Sequence, residues 1–282
     1  MQSCLRTHRP PPVKVDFHSH TRMSDGTLSP QELSDFMGER GVEVFSISDH
    51  DTLAAYGAFD PPANARVITG IEINTTWRKN EVHVLGYGVP LGPSPINELL
   101  EYNQEQRRLR AVTMVERLRE AGYTLTLEDV LRESDGADSL GRPHVAKALV
   151  RLGIVESVDA AFRQALTRGK PGYVPQIYTT PEHAIETIAA AGGIPVLAHP
   201  GRLKDRVLID ELVGHGLRGL EVFYPLHTPD DTREFRETAK RYGLVMTAGM
   251  DFHDIRYHTQ GVGIEVDAAD IAPFLDLVEV FA

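Results

Sequence analysis

Cysteine is almost missing: 282 residues contain one, Cys4, so no disulfide can staple this chain, and a reducing cytoplasm is the simplest setting. Long apolar runs are missing as well. None approaches the roughly 18 residues that a membrane span requires, so the sequence reads as a soluble chain with no membrane partner. Excess positive charge is also lacking, since the formal net charge of −11 excludes a protein that coats nucleic acid through a broad basic surface. Residues 1–12 hold basic side chains and three consecutive prolines but no apolar stretch of the signal-peptide kind, which makes them a flexible leader. The one tryptophan, Trp77, falls between two expected strands, where packing is its first expected role and base stacking its second.

With 41% hydrophobic side chains, the chain can bury one large core or a core with a smaller lobe. Its charge is uneven. Residues 101–170 carry 12 Lys or Arg against 11 Asp or Glu, whereas the remainder carries 17 against 29. An acidic body with an arginine-rich segment suits a small anionic substrate, met by metal ions on one side and arginines on the other, although many of those arginines simply solvate helices.

The chain is organised around Asp16-Phe17-His18-Ser19-His20, with Asp25 five residues on. The segment follows an apolar run at 13–15, so it ends a buried strand. Alternate side chains on a strand point the same way, which sets His18 and His20 side by side with Asp16 on their face. Two imidazoles held on a stiff strand form a chelate for Zn²⁺, Mn²⁺ or Fe²⁺.

The same pattern recurs down the chain. Ser29 caps a helix with Pro30 at its first position and Glu32 reaching back, ending at Gly41. A strand at 42–48 then ends in Asp49-His50-Asp51, a third at 65–74 carries Glu72, and a fourth at 81–89 carries His83. A glutamate inside an apolar β-branched run is costly to bury without positive charge beside it, so Glu72 calls for a metal. From about residue 93 the texture becomes helical and charged, with helices expected at 96–121, from Thr126, at 142–152 and at 157–166. This block interrupts a strand–helix alternation, so 93–170 reads as an inserted lobe between two parts, 13–92 and 171–282, of one body. The alternation resumes with strands at 194–198, 217–223 and 244–248, ending at His199, near Tyr224 and His227, and at Asp251 and His253, before a final strand–helix unit at 261–281. About seven apolar strands alternating with helices predict an α/β fold with a parallel sheet; closed into a (β/α) barrel, it carries its site at the C-terminal strand ends.

Nine ligand-type residues gather at those ends: His18, His20, Asp25, His50, Glu72, His83, His199, Asp251 and His253. That is too many for one ion and suits two or three divalent metals, with Glu72 as the bridging carboxylate. Such a cluster brings the pKa of a bridging water into the neutral range and clamps phosphoryl oxygens.

These residues resemble the polymerase-and-histidinol-phosphatase (PHP) superfamily of metal-dependent phosphoesterases. The matching motifs are DFHSHTRMSDG (16–26), SISDHDT (46–52), GIEIN (70–74), EVHVLGYG (81–88), LAHPGR (197–202) and AGMDFH (248–253). The resemblance covers essentially the whole chain. It implies a distorted (β/α)7 barrel, one metal held by His18, His20, Glu72 and Asp251, a second by Glu72, His83 and His199, and a third by Asp25, His50 and His253. Gly141-Arg142-Pro143-His144 and Gly169-Lys170-Pro171 in the lobe resemble the nucleotide-phosphatase branch. That branch removes the 3′-phosphate of nucleoside 3′,5′-bisphosphates, and some members trim RNA from its 5′ end.

The expected mechanism is in-line attack on phosphorus by a hydroxide bridging the first two metals, with Glu72 and Asp251 central to the machinery. Arg142, His144, Lys170 and Arg202 are candidates to grip phosphate. His227 is a candidate to protonate the leaving oxygen or to orient Asp251 or a water. Asp16, Asp49 and Asp51 are expected to orient ligand imidazoles. The expected partner is a small phosphorylated nucleotide or a short RNA end, and a monomer is compatible with it. Two rival readings are a histidinol-phosphate phosphatase of the same superfamily, against which the arginine-rich lobe argues, and a metal-dependent amidohydrolase. Amidohydrolases often bridge metals with a carboxylated lysine, and no lysine lies in these strand-end motifs.

Overall fold

The computed structural model describes residues 11–134, 136–137, 139–256, 260–278 and 280–281. Most of the expected leader, together with Cys4, His8 and His258, lies outside the described residues; Pro12 already belongs to the first strand.

The strands are β1 (Pro12–Asp16), β2 (Val44–Phe45), β3 (Arg66–Ile68), β4 (Gly70–Trp77), β5 (Asn80–Tyr87), β6 (Ile194–Leu197), β7 (Gly219–Phe223), β8 (Val245–Ala248), β9 (Ile264–Asp267) and β10 (Val280–Phe281). They form two five-stranded sheets, ordered β10-β3-β2-β1-β9 and β4-β5-β6-β7-β8. Pairing is parallel for β1–β2–β3 and β6–β7–β8, but antiparallel for β4–β5, β5–β6, β1–β9 and β3–β10. The all-parallel expectation therefore fails at four strand pairs. Arg78 and Lys79 both adopt left-handed φ (47° and 67°), a two-residue hairpin turn that folds β5 straight back on β4. At the end of the chain, the helix expected to run through 281 stops at Leu275, and the last residues pair with β3 instead.

The first sheet meets the second at both of the second sheet's edges, β8 and β4. Phe17 N–H donates to Ala248 O (2.8 Å) between β1 and β8, and Asp51 N–H donates to Glu72 O (3.0 Å) where β2 runs on beside β4. Inside, the fully buried Tyr87 of β5 donates its hydroxyl to Phe17 O at 2.9 Å, tying one sheet to the other.

Helices α1 (Pro30–Glu39), α6 (Pro181–Ala190), α7 (Val207–Gly214), α8 (Pro229–Tyr242) and α9 (Ala268–Leu275) pack around the sheets. The intervening segment is helical as expected: α2 (Pro95–Glu120), α3 (Leu127–Ser134), α4 (Arg142–Arg151) and α5 (Val158–Ala161), the last running into a wide turn at Phe162–Leu166. It has its own apolar cluster, including Met114, Leu118, Val130, Val145, Leu149 and Leu166. Among the described residues, no helix is long and apolar enough to cross a membrane.

Tyr87→Phe removes the cross-sheet donor and leaves Phe17 O short of a partner in the core. The expected cost is about 1–2 kcal/mol, read as a lower urea midpoint at unchanged m-value; an unchanged midpoint would show that the bond carries no net stability.

Candidate metal centre

The C-terminal ends of β1, β2, β6 and β8, with the hairpin β4–β5, bring all nine candidate ligands together. At the centre, Glu72 is completely buried on β4. Its Oε2 lies 3.2 Å from His18 Nε2, 3.2 Å from His20 Nε2 and 2.9 Å from His50 Nδ1, and its Oε1 lies 2.7 Å from His83 Nδ1 and 3.2 Å from His199 Nε2. Asp251 Oδ1 stands 3.4 Å and 3.2 Å from the same two nitrogens of His18 and His20. Asp25 Oδ1 lies 3.3 Å from His253 Nε2 and 3.9 Å from His50 Nε2.

Three sets of donor atoms fall within 4.8 Å of one another: His18, His20, Glu72 and Asp251; His20, Asp25, His50 and His253; and His50, Glu72 and His83. The first set repeats one expected metal position. The second and third draw His20 and His50 into their neighbours' sets, while His199 joins the third through Glu72. Buried atoms that find no hydrogen-bond partner among the described residues include His18 Nε2, both ring nitrogens of His20, Asp25 Oδ1 and Glu72 Oε2. Orphaned donors and acceptors converging in a buried pocket are costly as they stand, and a divalent cation satisfies them together, so the residues present fit metal ions.

Burial works against charge on all these groups. Even so, Glu72 and Asp251 are held well below the usual carboxylate range by the histidines around them, and Asp25 by His253 and His50. Correspondingly, and again against burial, Glu72 and Glu81 push His83 up to about 10, and Asp25 and Asp251 push His253 up to about 9. His50 and His199 go the other way, lowered by burial.

The three aspartates expected to orient imidazoles fix backbone and loops instead. Asp16 accepts from the N–H groups of His18, Met250 and Gly263. Asp49 holds the N–H and hydroxyl of Thr21 and the hydroxyl of Ser24. Asp51 binds Asn74, Asn103 and the Arg107 guanidinium (Nε, 2.7 Å). Imidazole partners come from residues the sequence reading passed over: Glu221 on His18 Nδ1 (3.0 Å), Glu81 on His83 Nε2 (3.1 Å) and Asn74 on His50 Nδ1 (3.0 Å). A glutamate inside the apolar run LEVF was a signal for Glu221 of the same kind as that for Glu72.

A cavity of about 750 Å³ opens over the cluster, between the sheets and the helical segment. Of the four phosphate-binding candidates, Arg142 and Arg202 line it, with Arg202 Nη1 3.3 Å from Asp251 Oδ2. Lys170 and His144 are not among its lining residues, whereas Arg107, Arg110, Trp77, Phe162 and Tyr224 are. His144 is buried in the first turn of α4, where its Nδ1 accepts the Gly141 N–H at 2.9 Å and closes the helix start. His227 is committed to backbone through both nitrogens: Nδ1 lies 3.0 Å from Val222 O, and Nε2 accepts the Gly201 N–H at 3.1 Å. It supports the loop after His199, and Tyr224, not His227, donates to Asp251 Oδ2 (3.2 Å).

Two predictions follow from the protonation pattern. Burial lowers His144 from its ordinary value to about 4. Its neutral form is therefore the folded form, and its stabilisation is full above about pH 6.5 and lost as pH falls from there toward 4, roughly 3 kcal/mol in all. His144→Asn keeps an acceptor for the Gly141 N–H, as Asn97 does for Ser94 N–H (2.8 Å). Urea titrations from pH 7 to 4 should show a shallower loss of stability in the variant, and parallel curves would refute the assignment. His83 and His253, in turn, hold protons at neutral pH in the metal-free protein. Loading Mn²⁺ or Zn²⁺ at about pH 7.5 should release at least one proton per chain, measured calorimetrically in buffers of different ionisation enthalpy; uptake heats that do not vary with buffer would contradict it.

No protein-family model matches the chain. Over 249 residues it is 34% identical to the 3′,5′-nucleoside bisphosphate phosphatase of Chromobacterium violaceum, covering 86% of this chain and 87% of that protein. Over 255 residues it is 34% identical to the 5′-3′ exoribonuclease Rnm of Escherichia coli, covering 86% and 85%. Among solved structures, an amidohydrolase from Chromobacterium violaceum with bound sulfate and no metal superposes with a TM-score of 0.79 at 33% identity, covering 90% of this chain and 91% of that one.

Proposed function

This chain belongs to the PHP superfamily of metal-dependent phosphoesterases and is a hydrolase of phosphoester bonds, and from that premise we propose that it removes the 3′-phosphate of nucleoside 3′,5′-bisphosphates, with 5′ ends of short RNA as its second substrate class. One observation carries the choice of substrate. The cavity has an acid–histidine floor for one phosphate, and its helical wall carries Arg107, Arg110 and Arg142 for another, in a chain whose net charge is −11. Trp77, Phe162 and Tyr173 also line the space and offer faces for a base.

On this reading residues 93–170 are a substrate-capping lobe, and residues 13–92 and 171–282 the two parts of a distorted (β/α)7 barrel, supported by the hydrogen bonds that link the first sheet to both edges of the second. A cytoplasmic setting belongs to the same proposal. Two or three divalent ions (Mn²⁺, Fe²⁺ or Zn²⁺) would be held by His18, His20, Glu72 and Asp251, by Glu72, His83 and His199 with His50 beside them, and by Asp25, His50 and His253. When bound, such ions neutralise phosphoryl oxygens and make water acidic enough to attack near neutral pH. The chain's own contribution is placement. Arg202 and Tyr224 fix the Asp251 carboxylate from its second oxygen, leaving the first toward His18 and His20. Arg142, paired with Glu81 at 3.4 Å, is free to exchange that partner for a phosphate.

The test is phosphate release from adenosine 3′,5′-bisphosphate and from a short 5′-phosphorylated RNA, with Mn²⁺ and with chelator. Turnover of the bisphosphate should vanish with chelator, and His83→Ala should lower kcat/KM by at least the roughly 10–100-fold that losing even a ligand's outer partner costs. If neither substrate turns over while the protein holds metal, the nucleotide reading fails, and histidinol phosphate and amide substrates come next.

A further inference from the structure

We infer that Glu221 is a positioning residue for the metal centre: one buried carboxylate sets the tautomer of His18 and anchors the backbone of His199, aiming two proposed ligands on different strands. The inference rests on the reading of those histidines as ligands.

Glu221 is wholly buried in the middle of β7, on the face opposite its neighbours Leu220 and Val222, which belong to the apolar core. The β7–β8 register slips between Glu221 and Phe223, a local irregularity of the kind that re-aims side chains beside active sites. Its Oε1 lies 3.0 Å from His18 Nδ1, and its Oε2 accepts the His199 N–H at 2.7 Å. A carboxylate only accepts, so His18 holds a proton on Nδ1, and Nε2, buried, without a hydrogen-bond partner among the described residues and turned to Glu72 and Asp251, is the nitrogen left to meet a metal ion. His199 sits in the left-handed region at φ 29°, unfavourable for a side chain with a Cβ, and the bond to its N–H helps hold it there with its ring on Glu72. Gly249 packs against both partners; a Cβ there would run into His18 Cβ and Glu221 Oε1, so the chain leaves space for this pair at a neighbouring strand end.

Two donors on opposite oxygens require two acceptors, and a glutamine provides one. Glu221→Gln should therefore weaken Mn²⁺ affinity, measured by competition with a chromophoric chelator, by about 10–100-fold, while the metal-free variant unfolds at the wild-type temperature. Glu221→Asp keeps both acceptors but withdraws them by one methylene, and an intermediate loss is expected. His18→Ala is the control. If His18→Ala loses metal and Glu221→Gln binds as wild type does, the inference falls alone; if His18→Ala also binds as wild type does, the ligand reading beneath it has failed. Should Glu221→Gln destabilise the metal-free fold, the visible spectrum of the Co²⁺-saturated variant decides: altered bands support positioning, and the wild-type spectrum overturns it.

Discussion

Everything in this molecule answers to the burial of Glu72. A carboxylate with no exposure to water costs several kcal/mol unless positive charge and hydrogen bonds compensate for it. Here the compensation is five imidazoles within 3.2 Å, from His18, His20, His50, His83 and His199. Five cations around one anion would repel one another, and the split behaviour of these histidines, some pushed up and some lowered, is the compromise that protons allow. A divalent ion places the same charge at a point between the donors. The centre is thus built for a charge that protons supply only imperfectly.

The strand ends that deliver these ligands are not relaxed. Asp51, His199 and Asp251 all adopt left-handed φ (53°, 29° and 52°), each at a cost of order 1–3 kcal/mol. Each is held by side-chain bonds: Asp51 by Asn74, Asn103 and Arg107, His199 by Glu221, and Asp251 by Tyr224 and the half-exposed Arg202. Such strain persists only where surrounding contacts over-determine it, and here they make the donor set rigid before any ion arrives.

The cluster of histidines and carboxylates was legible in the sequence because its chemistry is expensive: a histidine pair on a strand and a glutamate in an apolar run have few structural excuses. The helices were legible because their caps and glycine stops are local signals, as at Ser29-Pro30 with Glu32. Pairing direction was not. The turn that reverses β4 into β5 uses Arg78 and Lys79, residues with no hairpin signature, so two strands that pair directly read as successive units of a parallel sheet. Roles that depend on which neighbour a side chain meets were also invisible. In sequence His144 is a candidate to grip phosphate and His227 a candidate proton donor, yet their nitrogens serve backbone groups that only the fold brings near. Glu221 was missed for the converse reason: its partners lie 203 residues upstream at His18 and 22 residues upstream at His199.

The helical segment is tied to this centre rather than merely resting above it. Asp51 directly follows the candidate ligand His50, and its carboxylate is shared by Asn74 from the sheet and by Asn103 and Arg107 from α2, while Gln104 of the same helix donates to its carbonyl oxygen. Swinging α2 away would leave Asp51 buried without its cation, a loss of about 3–5 kcal/mol for a buried pair, and would free a strained strand end beside the candidate ligand His50. A lid that opened by such a swing would dismantle the site it serves. Access is more economical along the other rim of the cavity, where Lys79, Lys204 and Leu226 are exposed and Trp77 is half-buried. That rim combines cationic ends with apolar faces, while on the helical wall Arg107 is fixed by the same bond that holds Asp51 beside the candidate ligand His50.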